Sequence, residues 1–433
     1  MSRWDVTLLC TGDLHLGRHP TRIPPERDGA GFSPKTVWHE TVEKAVEADV
    51  DAVVITGDVV DLENRYFEAY GAFEAGARAL AQAGIPAFVV GGNHDAETLP
   101  RMVDDIGSDT LHLLGRSGNW ERHVFELDGK PALALVGWSF PMEHVRSSPL
   151  RNYALDPYPG CPTVGVLHGD LGVAESDYAP VSESELSNAQ VDAWLLGHIH
   201  KPGIRREDSP LILYPGSPQP LDPGEVGAHG PWFVRVDRNG QIETEHCPMA
   251  TVRYETFNVD VSDLTDAKEL PGEVSESLSA HIRQELDSAR LALILARVVL
   301  TGRSDAHADL AREREVITDQ LGLQLNGIPV VVESLVLESR PAVDLEELSQ
   351  GDSPVAWLAK LLQNLENGRA GNISEDLVED SLEALRDARW ANAYNPLGGR
   401  RSTEAPGPAE AYRRLTKQAR LLLDVLLEQK EQS

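Results

Sequence analysis

The stretch Ala87-Phe-Val-Val-Gly-Gly-Asn-His-Asp95 decides how this chain is read. Its first four residues are apolar without alternation, which suits a strand buried on both faces. The next five are glycine and polar side chains, the composition of a sharp turn that carries chemistry. The same junction recurs along the first half of the chain. Residues 6–10 run into Gly12-Asp13-Leu-His15-Leu-Gly17, and 52–56 run into Gly57-Asp58-Val-Val-Asp61. Residues 164–167 precede His168-Gly169-Asp170, and 193–196 precede Gly197-His198-Ile-His200. Runs at 132–136 and 211–214 complete the series. Between the first two, residues 35–48 read as a helix with Val37, Thr41, Val42 and Ala45 on one side. Ser33-Pro34 supplies an N-cap and a proline at the first helical position. Strand, turn and helix in alternation predict an α/β domain. In an open parallel sheet the turns after the strands meet at one edge, where ligands bind.

Downstream, the pattern changes. Strand-like segments at 252–261, 291–300 and 330–337 alternate with helix-like ones at 275–286 and 305–321. From Asp344 the pattern is helical, with Ser353-Pro354 opening one helix through Leu365, a second at 374–390 and a third at 409–430. The expected division is 1–250 for the first domain, 251–343 for a small α/β domain, 344–394 for a helical region, 395–408 for a linker and 409–433 for a C-terminal helix. A chain of 433 residues is long enough for two or three domains. Three scattered cysteines, Cys10, Cys161 and Cys247, give no disulfide framework and no zinc knuckle. The start of the chain does not read as a signal peptide, and the most apolar run, 291–300, is too short to span a bilayer. A cytoplasmic protein with no membrane partner is expected.

The polar residues after the strands form a mixed oxygen and nitrogen donor set without sulfur, which suits manganese, iron or zinc. Asp13-x-His15 and His198-x-His200 have a spacing of two, so in extended backbone each pair points one way. Two divalent ions sharing a carboxylate would clamp the attacking and leaving oxygens of a phosphoryl transfer. Each motif alone is common in loops. Five of them, each directly after a strand-like run, are not.

In this order, Asp13-x-His15, Gly57-Asp58, Gly92-Asn93-His94-Asp95, His168 and Gly197-His198-x-His200 resemble the calcineurin-like metallophosphoesterase superfamily. Within it, Gly12-Asp-Leu-His-Leu-Gly17, Gly197-His-Ile-His-Lys-Pro202 and Tyr214-Pro-Gly-Ser-Pro218 are similar to the DNA-repair exonuclease branch of SbcD, YhaO and Mre-eleven type. The resemblance implies a layered α/β/β/α core, a small α/β capping domain and a helical C-terminal region. It puts Asp13, His15 and His200 on one metal, and Asn93, His168 and His198 on the other, with Asp58 between them. His94 would stabilise charge at the scissile phosphate or protonate the leaving oxygen, with Asp95 orienting it. A metal-bound hydroxide is the implied nucleophile, and manganese the implied metal. Many members carry histidine three residues after the bridging aspartate. Asp61 stands there, and no role follows for it.

The net charge of −30 and pI near 4.8 count against a nucleic-acid binder. Only eight of the 39 basic residues are lysine, as an acidic surface in a salty cytoplasm would favour. Against that, Arg18, Arg22, Lys201 and Arg205, with Arg206 beside it, lie in the turns next to the expected metals and could position a phosphate backbone. Tyr412, Leu415, Ala419, Leu422 and Leu426 are spaced three and four apart in the last helix. That seam packs at home or docks on a partner helix. The resemblance names the partner as a coiled-coil ATPase of SbcC type, and homodimers occur among its members. Three readings remain open: a manganese-dependent DNA nuclease, a small-molecule phosphodiesterase or phosphatase, and a non-catalytic scaffold.

Overall fold

The structure is a computed structural model that describes residues 6–431 apart from 28, 62–65, 128, 174, 283–289, 322, 367–376 and 385–407. Two compact units emerge. The first comprises Met1–Phe257, Ser275–Val298 and Thr318–Leu335, and the second Asn258–Val274, Val299–Ile317 and Val336–Ser433.

Two six-stranded sheets build the first unit. One contains β1 (Val6–Thr11), β2 (Ala52–Ile55), β3 (Ala87–Val89), β4 (Leu111–Leu113), β11 (Trp232–Val236) and β12 (Ile242–His246), in the order β12-β11-β1-β2-β3-β4. The other contains β5 (Glu121–Leu127), β6 (Lys130–Trp138), β7 (Thr163–His168), β8 (Ala193–Gly197), β9 (Gly203–Arg206) and β10 (Leu211–Tyr214), in the order β5-β6-β7-β8-β10-β9. The inner strands of both are parallel. Antiparallel strands flank them, β11 and β12 on one sheet and β5 and β9 on the other.

Side-chain alternation sorts each apolar run into two cores. Leu8, Cys10, Ala52, Val54 and Phe88 face the space between the sheets, where they meet Leu133, Leu135, Val164, Val166, Leu195 and Leu213. Their neighbours Leu9, Val53, Ile55 and Val89 face the other way, against α1 (Pro34–Glu47), α2 (Tyr66–Gln82) and α3 (Thr98–Ile106). On the far side of the second sheet Leu167, Trp194, Leu196 and Tyr214 pack with Leu186 of α4 (Glu183–Asn188). The result is the expected α/β/β/α layering. Ser33 caps α1 as read from sequence, its side chain accepting from Lys35 N–H, with Pro34 at the start of the helix.

Further along, β13 (Val252–Asp260), β14 (Leu293–Thr301), β16 (Leu323–Leu325) and β17 (Ile328–Leu337) form a sheet in the order β13-β14-β17-β16. The region also holds α5 (Leu270–Ile282), α6 (His307–Gln320) and the short parallel pair β15 (Arg303–Ser304) and β18 (Arg340–Pro341); of these elements β13, β14, β17, α5 and α6 fall on the segments expected from sequence, and β15, β16 and β18 were not anticipated. Next come α7 (Leu345–Leu348), α8 (Pro354–Glu366), α9 (377–384) and α10 (Pro408–Glu431). Of the helix expected at 374–390, the ends lie outside the described residues, as do residues 395–407 of the expected linker. Ala411, Ala419 and Leu423 of α10 are buried against Leu358, Leu362 and Leu365 of α8. The expected seam is corrected at one point. Leu423 takes the inward position, and Leu422 is 51% exposed beside Leu421 and Val425. Among the described residues, no helix is long and apolar enough to cross a membrane.

One feature of the first unit ties stability to pH. The His112 ring stacks on Phe88 and the His123 ring packs tilted against both, with centroids 4.6–4.9 Å apart. Burial holds both imidazoles below the ordinary histidine range, with Glu121 opposing it. The folded chain therefore binds fewer protons here than the unfolded chain, so this contribution is present above about pH 6.5 and fades as pH falls below it. The melting temperature of a His112→Gln/His123→Gln double variant should fall less steeply than wild type between pH 7.5 and 5. Parallel slopes would remove these rings as the source.

Candidate metal centre

The loops after β1 and β2 are laced to each other before any side chain is considered. Asp13 N–H donates to Gly57 O at 2.9 Å, His15 N–H to Asp58 O at 3.0 Å and Leu16 N–H to Val59 O at 2.9 Å. This lacing holds Asp13, His15 and Asp58 at φ of 48°, 42° and 49°, and His198 stands at 96°. Such values are uncommon outside glycine and cost on the order of 1–3 kcal/mol each, so they persist only where surroundings enforce them. Close approach completes the fit. A Cβ at Gly92 would stand 2.1 Å from Asp58 Oδ1, and one at Gly57, itself at φ +107°, would stand 2.5 Å from His168 Nδ1.

Asp95 is part of this lacing. Its Oδ2 accepts Val59 N–H at 2.6 Å and its Oδ1 accepts Gly92 N–H at 2.7 Å. Burial and the nearby Asp58 charge push its pKa up to about 7 against those two bonds. Both oxygens serve backbone amides, so the role expected for Asp95 in orienting the His94 ring is replaced by closure of the loops after β2 and β3.

Four histidines converge here, and each divides its two ring nitrogens in the same way. His200 Nδ1 faces Glu225 Oε1 at 2.8 Å, while its Nε2 stands 3.0 Å from His15 Nε2. His15 turns its Nδ1 to Asp61 Oδ2 at 3.4 Å. His168 Nδ1 pairs with Thr56 O at 3.0 Å and its Nε2 with Asn93 Oδ1 at 3.1 Å. His198 reverses the atoms, with Nε2 at 3.4 Å from Asp170 Oδ1 and Nδ1 at 3.2 Å from Asn93 Oδ1. Each ring turns one nitrogen toward an oxygen, by a hydrogen bond at His200 and His168 and by an approach of 3.4 Å at His198 and at His15, whose Nδ1 makes no hydrogen bond among the described residues, and presents the other inward. A metal-binding histidine needs that arrangement, because the outer bond fixes the tautomer and leaves a lone pair for the ion.

Asp58 lies between the two sets. Its Oδ2 is 3.4 Å from His168 Nε2 and 3.8 Å from His15 Nε2, and its Oδ1 accepts His94 N–H at 3.0 Å. Burial alone would raise its pKa, but His168, His15 and His94 overcome that and hold it well below the carboxylate range. Burial likewise opposes a proton on His168 and His200. Asp58 and Asp13 reverse this at His168, and Glu225 does so at His200, lifting each to about 9. Asp13 donates no less to the picture: its Oδ1 accepts His198 N–H at 3.0 Å, while its Oδ2 is buried without a hydrogen-bond partner among the described residues. A buried carboxylate oxygen left over beside inward-facing imidazoles fits a cation. Asp13, His15 and His200 have donor atoms within 4.8 Å of one another, and so do Asp13, Asp58 and His168.

All seven residues expected as ligands are therefore brought together, and His94 stands beside them, half-buried. The geometry of the two spaced pairs differs from expectation. Asp13 and His15 reach one group through left-handed backbone rather than strand alternation. His198 and His200 diverge, one to Asn93 and the other to His15. The basic residues fare unevenly. Arg18 is held by Asp61 at 3.3 Å and Asp222 at 3.4 Å, so it is not set out toward a phosphate backbone. Arg205 lies 5.5 Å over the Tyr214 ring. Arg22 and Lys201 are exposed. Glu225, Thr56 and Asp170 are site residues that sequence reasoning left unassigned. Asp170 sits in the His168-Gly-Asp motif and could have been found there. Glu225, 25 residues beyond His200, has no local signal.

Titration of cation-free protein with manganese, followed by calorimetry, should show two bound ions per chain. Asp58→Asn should weaken both, and Glu225→Gln should weaken one by about 10–100-fold. Unchanged binding in Asp58→Asn would remove Asp58 from the centre of the site.

Comparison with known proteins agrees with this geometry. Residues 6–202 match the calcineurin-like phosphoesterase family, and residues 254–340 match the middle domain of the metallophosphoesterase YhaO. The uncharacterized metallophosphoesterase YhaO of Bacillus subtilis is 28% identical over 288 residues, 64% of this chain and 68% of that one. The DNA double-strand break repair protein Mre11 of Aeropyrum pernix is 29% identical over 247 residues, 54% of this chain and 59% of that one. Its counterpart in Haloferax volcanii is 29% identical over 227 residues, 52% and 48% of the two chains. The chain thus spans about half to two thirds of the length of these relatives. A site of divided histidines around Asp58, on a layered sandwich that the family match covers from β1 to Pro202, identifies a calcineurin-like metallophosphoesterase domain in a chain homologous to YhaO and the Mre11 proteins.

Proposed function

We propose that this protein is a two-metal DNA nuclease of manganese type that hydrolyses phosphodiesters in DNA repair. It would work in the cytoplasm with a coiled-coil ATPase of SbcC type. The observation that carries the hydrolytic reading is the set of four histidines around Asp58, each with one nitrogen inward and the other turned toward an oxygen. DNA as substrate rests on the Mre11 relatives and the YhaO-type middle region. A partner helix is favoured by Leu421, Leu422 and Val425, which α10 leaves exposed.

Asp13, His15 and His200 would hold one cation and Asn93, His168 and His198 the other, with Asp58 shared. Bound there, two cations would supply Lewis acidity to the phosphoryl oxygens and an activated water. The protein's own part is positional. Asp58 anchors the loop bearing His94 through the His94 N–H. Burial keeps the pKa of His94 low, with Asp58 and Asp61 opposing and His15 reinforcing. At the half-open edge of the site the His94 imidazole would donate a hydrogen bond to the phosphate or its leaving oxygen.

The second reading, a small-molecule phosphodiesterase, is favoured by Arg18 being occupied with two carboxylates and by the net charge of −30. One assay separates the two. Linear single- and double-stranded DNA and a chromogenic diester are offered to wild type and His94→Ala with manganese, at low and high salt. Wild type should degrade DNA. His94→Ala should lose about 10²–10⁴-fold in rate at unchanged metal content. Brisk cleavage of the diester with DNA left intact would discard the nuclease reading and keep the phosphoesterase.

A further inference from the structure

Tyr254 stands on β13, the first strand of the four-stranded sheet, outside every motif that marks the metal centre. It is buried, and it shares an apolar cluster with Ile23, Val226 and Leu295. Its hydroxyl donates to Thr21 O, and Leu221 O lies 3.3 Å away. Its backbone carbonyl accepts Gly227 N–H at 3.0 Å, and Val226 pairs with it as an isolated bridge. Tyr254 therefore grips two separate stretches of chain, the loop after β1 and the segment 221–227. Both lead to the metal centre. The loop carries His15 and Arg18 ahead of Thr21. The segment carries Glu225, whose Oε1 faces His200 Nδ1 at 2.8 Å. Glu225 is itself held through Oε2, which accepts Leu221 N–H at 3.0 Å and the Ser217 hydroxyl at 2.9 Å. The peptides on either side of Leu221 thus meet Glu225 with an amide and Tyr254 with a carbonyl. Across the joint, Leu221 O accepts Thr21 N–H at 2.8 Å, and Asp222 Oδ1 accepts the Thr21 hydroxyl at 3.0 Å.

We infer that Tyr254 is a positioning residue whose hydroxyl locks the joint between the His15 loop and the Glu225 segment, and so supports the metal position of Asp13, His15 and His200. This rests on the metallophosphoesterase reading above. A carboxylate orients an imidazole only as firmly as it is held itself, and buried hydrogen bonds in series reinforce one another. The position of Asn93, His168 and His198 takes its outer contacts from Thr56 and Asp170 instead. One position is supported from β13, and the other from within the sandwich. A shift of β13 would therefore reach one cation and spare the other.

The test uses the full-length protein and manganese alone. Calorimetry on cation-free Tyr254→Phe should show one of two positions weakened about 3–10-fold, the usual net contribution of one hydrogen bond, and the other unchanged. A merely structural role would not choose between them. A double-variant cycle then shows whether the effect runs through Glu225. On a Glu225→Gln background Tyr254→Phe should add little, whereas on Asp170→Asn it should keep its full effect. In nitrogen-15 NMR spectra of the cation-free protein, the His200 ring signals should move in Tyr254→Phe while those of His168 and His198 stay. Equal weakening of both positions, no weakening of either, or full additivity with Glu225→Gln overturns the inference. Should Tyr254→Phe fail to fold, Thr21→Val removes the Thr21–Asp222 bond from the exposed end of the same joint and must weaken the same position; unchanged binding would overturn it too. A wild type that binds no manganese would instead overturn the metallophosphoesterase reading, and the His200 spectra would still decide the role of Tyr254.

Discussion

The buried charge of Asp58 is the constraint on which the rest of the site depends. A carboxylate taken out of water is tolerated only if it is hydrogen-bonded and its charge is matched. At 1% exposure it receives the His94 amide on one oxygen and faces the imidazoles of His168 and His15 with the other. Those imidazoles can carry protons, or they can yield to cations. In either state the positive charge must come from the same few ångströms. Loops from both sheets are therefore obliged to end within reach of one atom.

That obligation explains the local irregularity. Asp13, His15, Asp58 and His198 all stand at positive φ. Glycine at 57 and 92 leaves room that any side chain would fill. Asp95 closes the two loops on each other from below. A stiff scaffold is needed to hold such conformations. The sandwich supplies it, since each central strand is buried on both faces and alternate residues are committed to different cores.

The acidic composition acts at a different scale. A net charge of −30 works against long-range attraction to a polyanion, though salt screens it beyond a Debye length of about 8–10 Å. Within the site the balance is local, with four histidines facing the carboxylates. Arg18, which by sequence could have been a phosphate contact, is spent on Asp61 and Asp222. Local wiring thus reassigns a residue whose charge and position along the chain were both correctly read.

Seven of the twelve strands described in the two large sheets, the order of the polar turns and the seven residues gathered around Asp58 were legible from the sequence. The reason is that each ligand directly follows an apolar run, and strand termini are set by local pattern. The cap at Ser33 and the opening of α8 at Ser353-Pro354 were legible too, because capping is a local hydrogen bond. Tertiary structure alone decided the outer partners of the histidines. Glu225 reaches His200, Thr56 reaches His168, and Asp61 stands between His15 and His94, although no spacing in the chain announces these pairings. It also decided that Asp95 staples loops instead of steering His94, that His198 and His200 part company, and that Leu423 rather than Leu422 turns inward on α10. Each of these depends on which atoms distant segments present to one another in the packed core. Periodicity along a chain says which face a residue occupies, and carries no information about what stands opposite it.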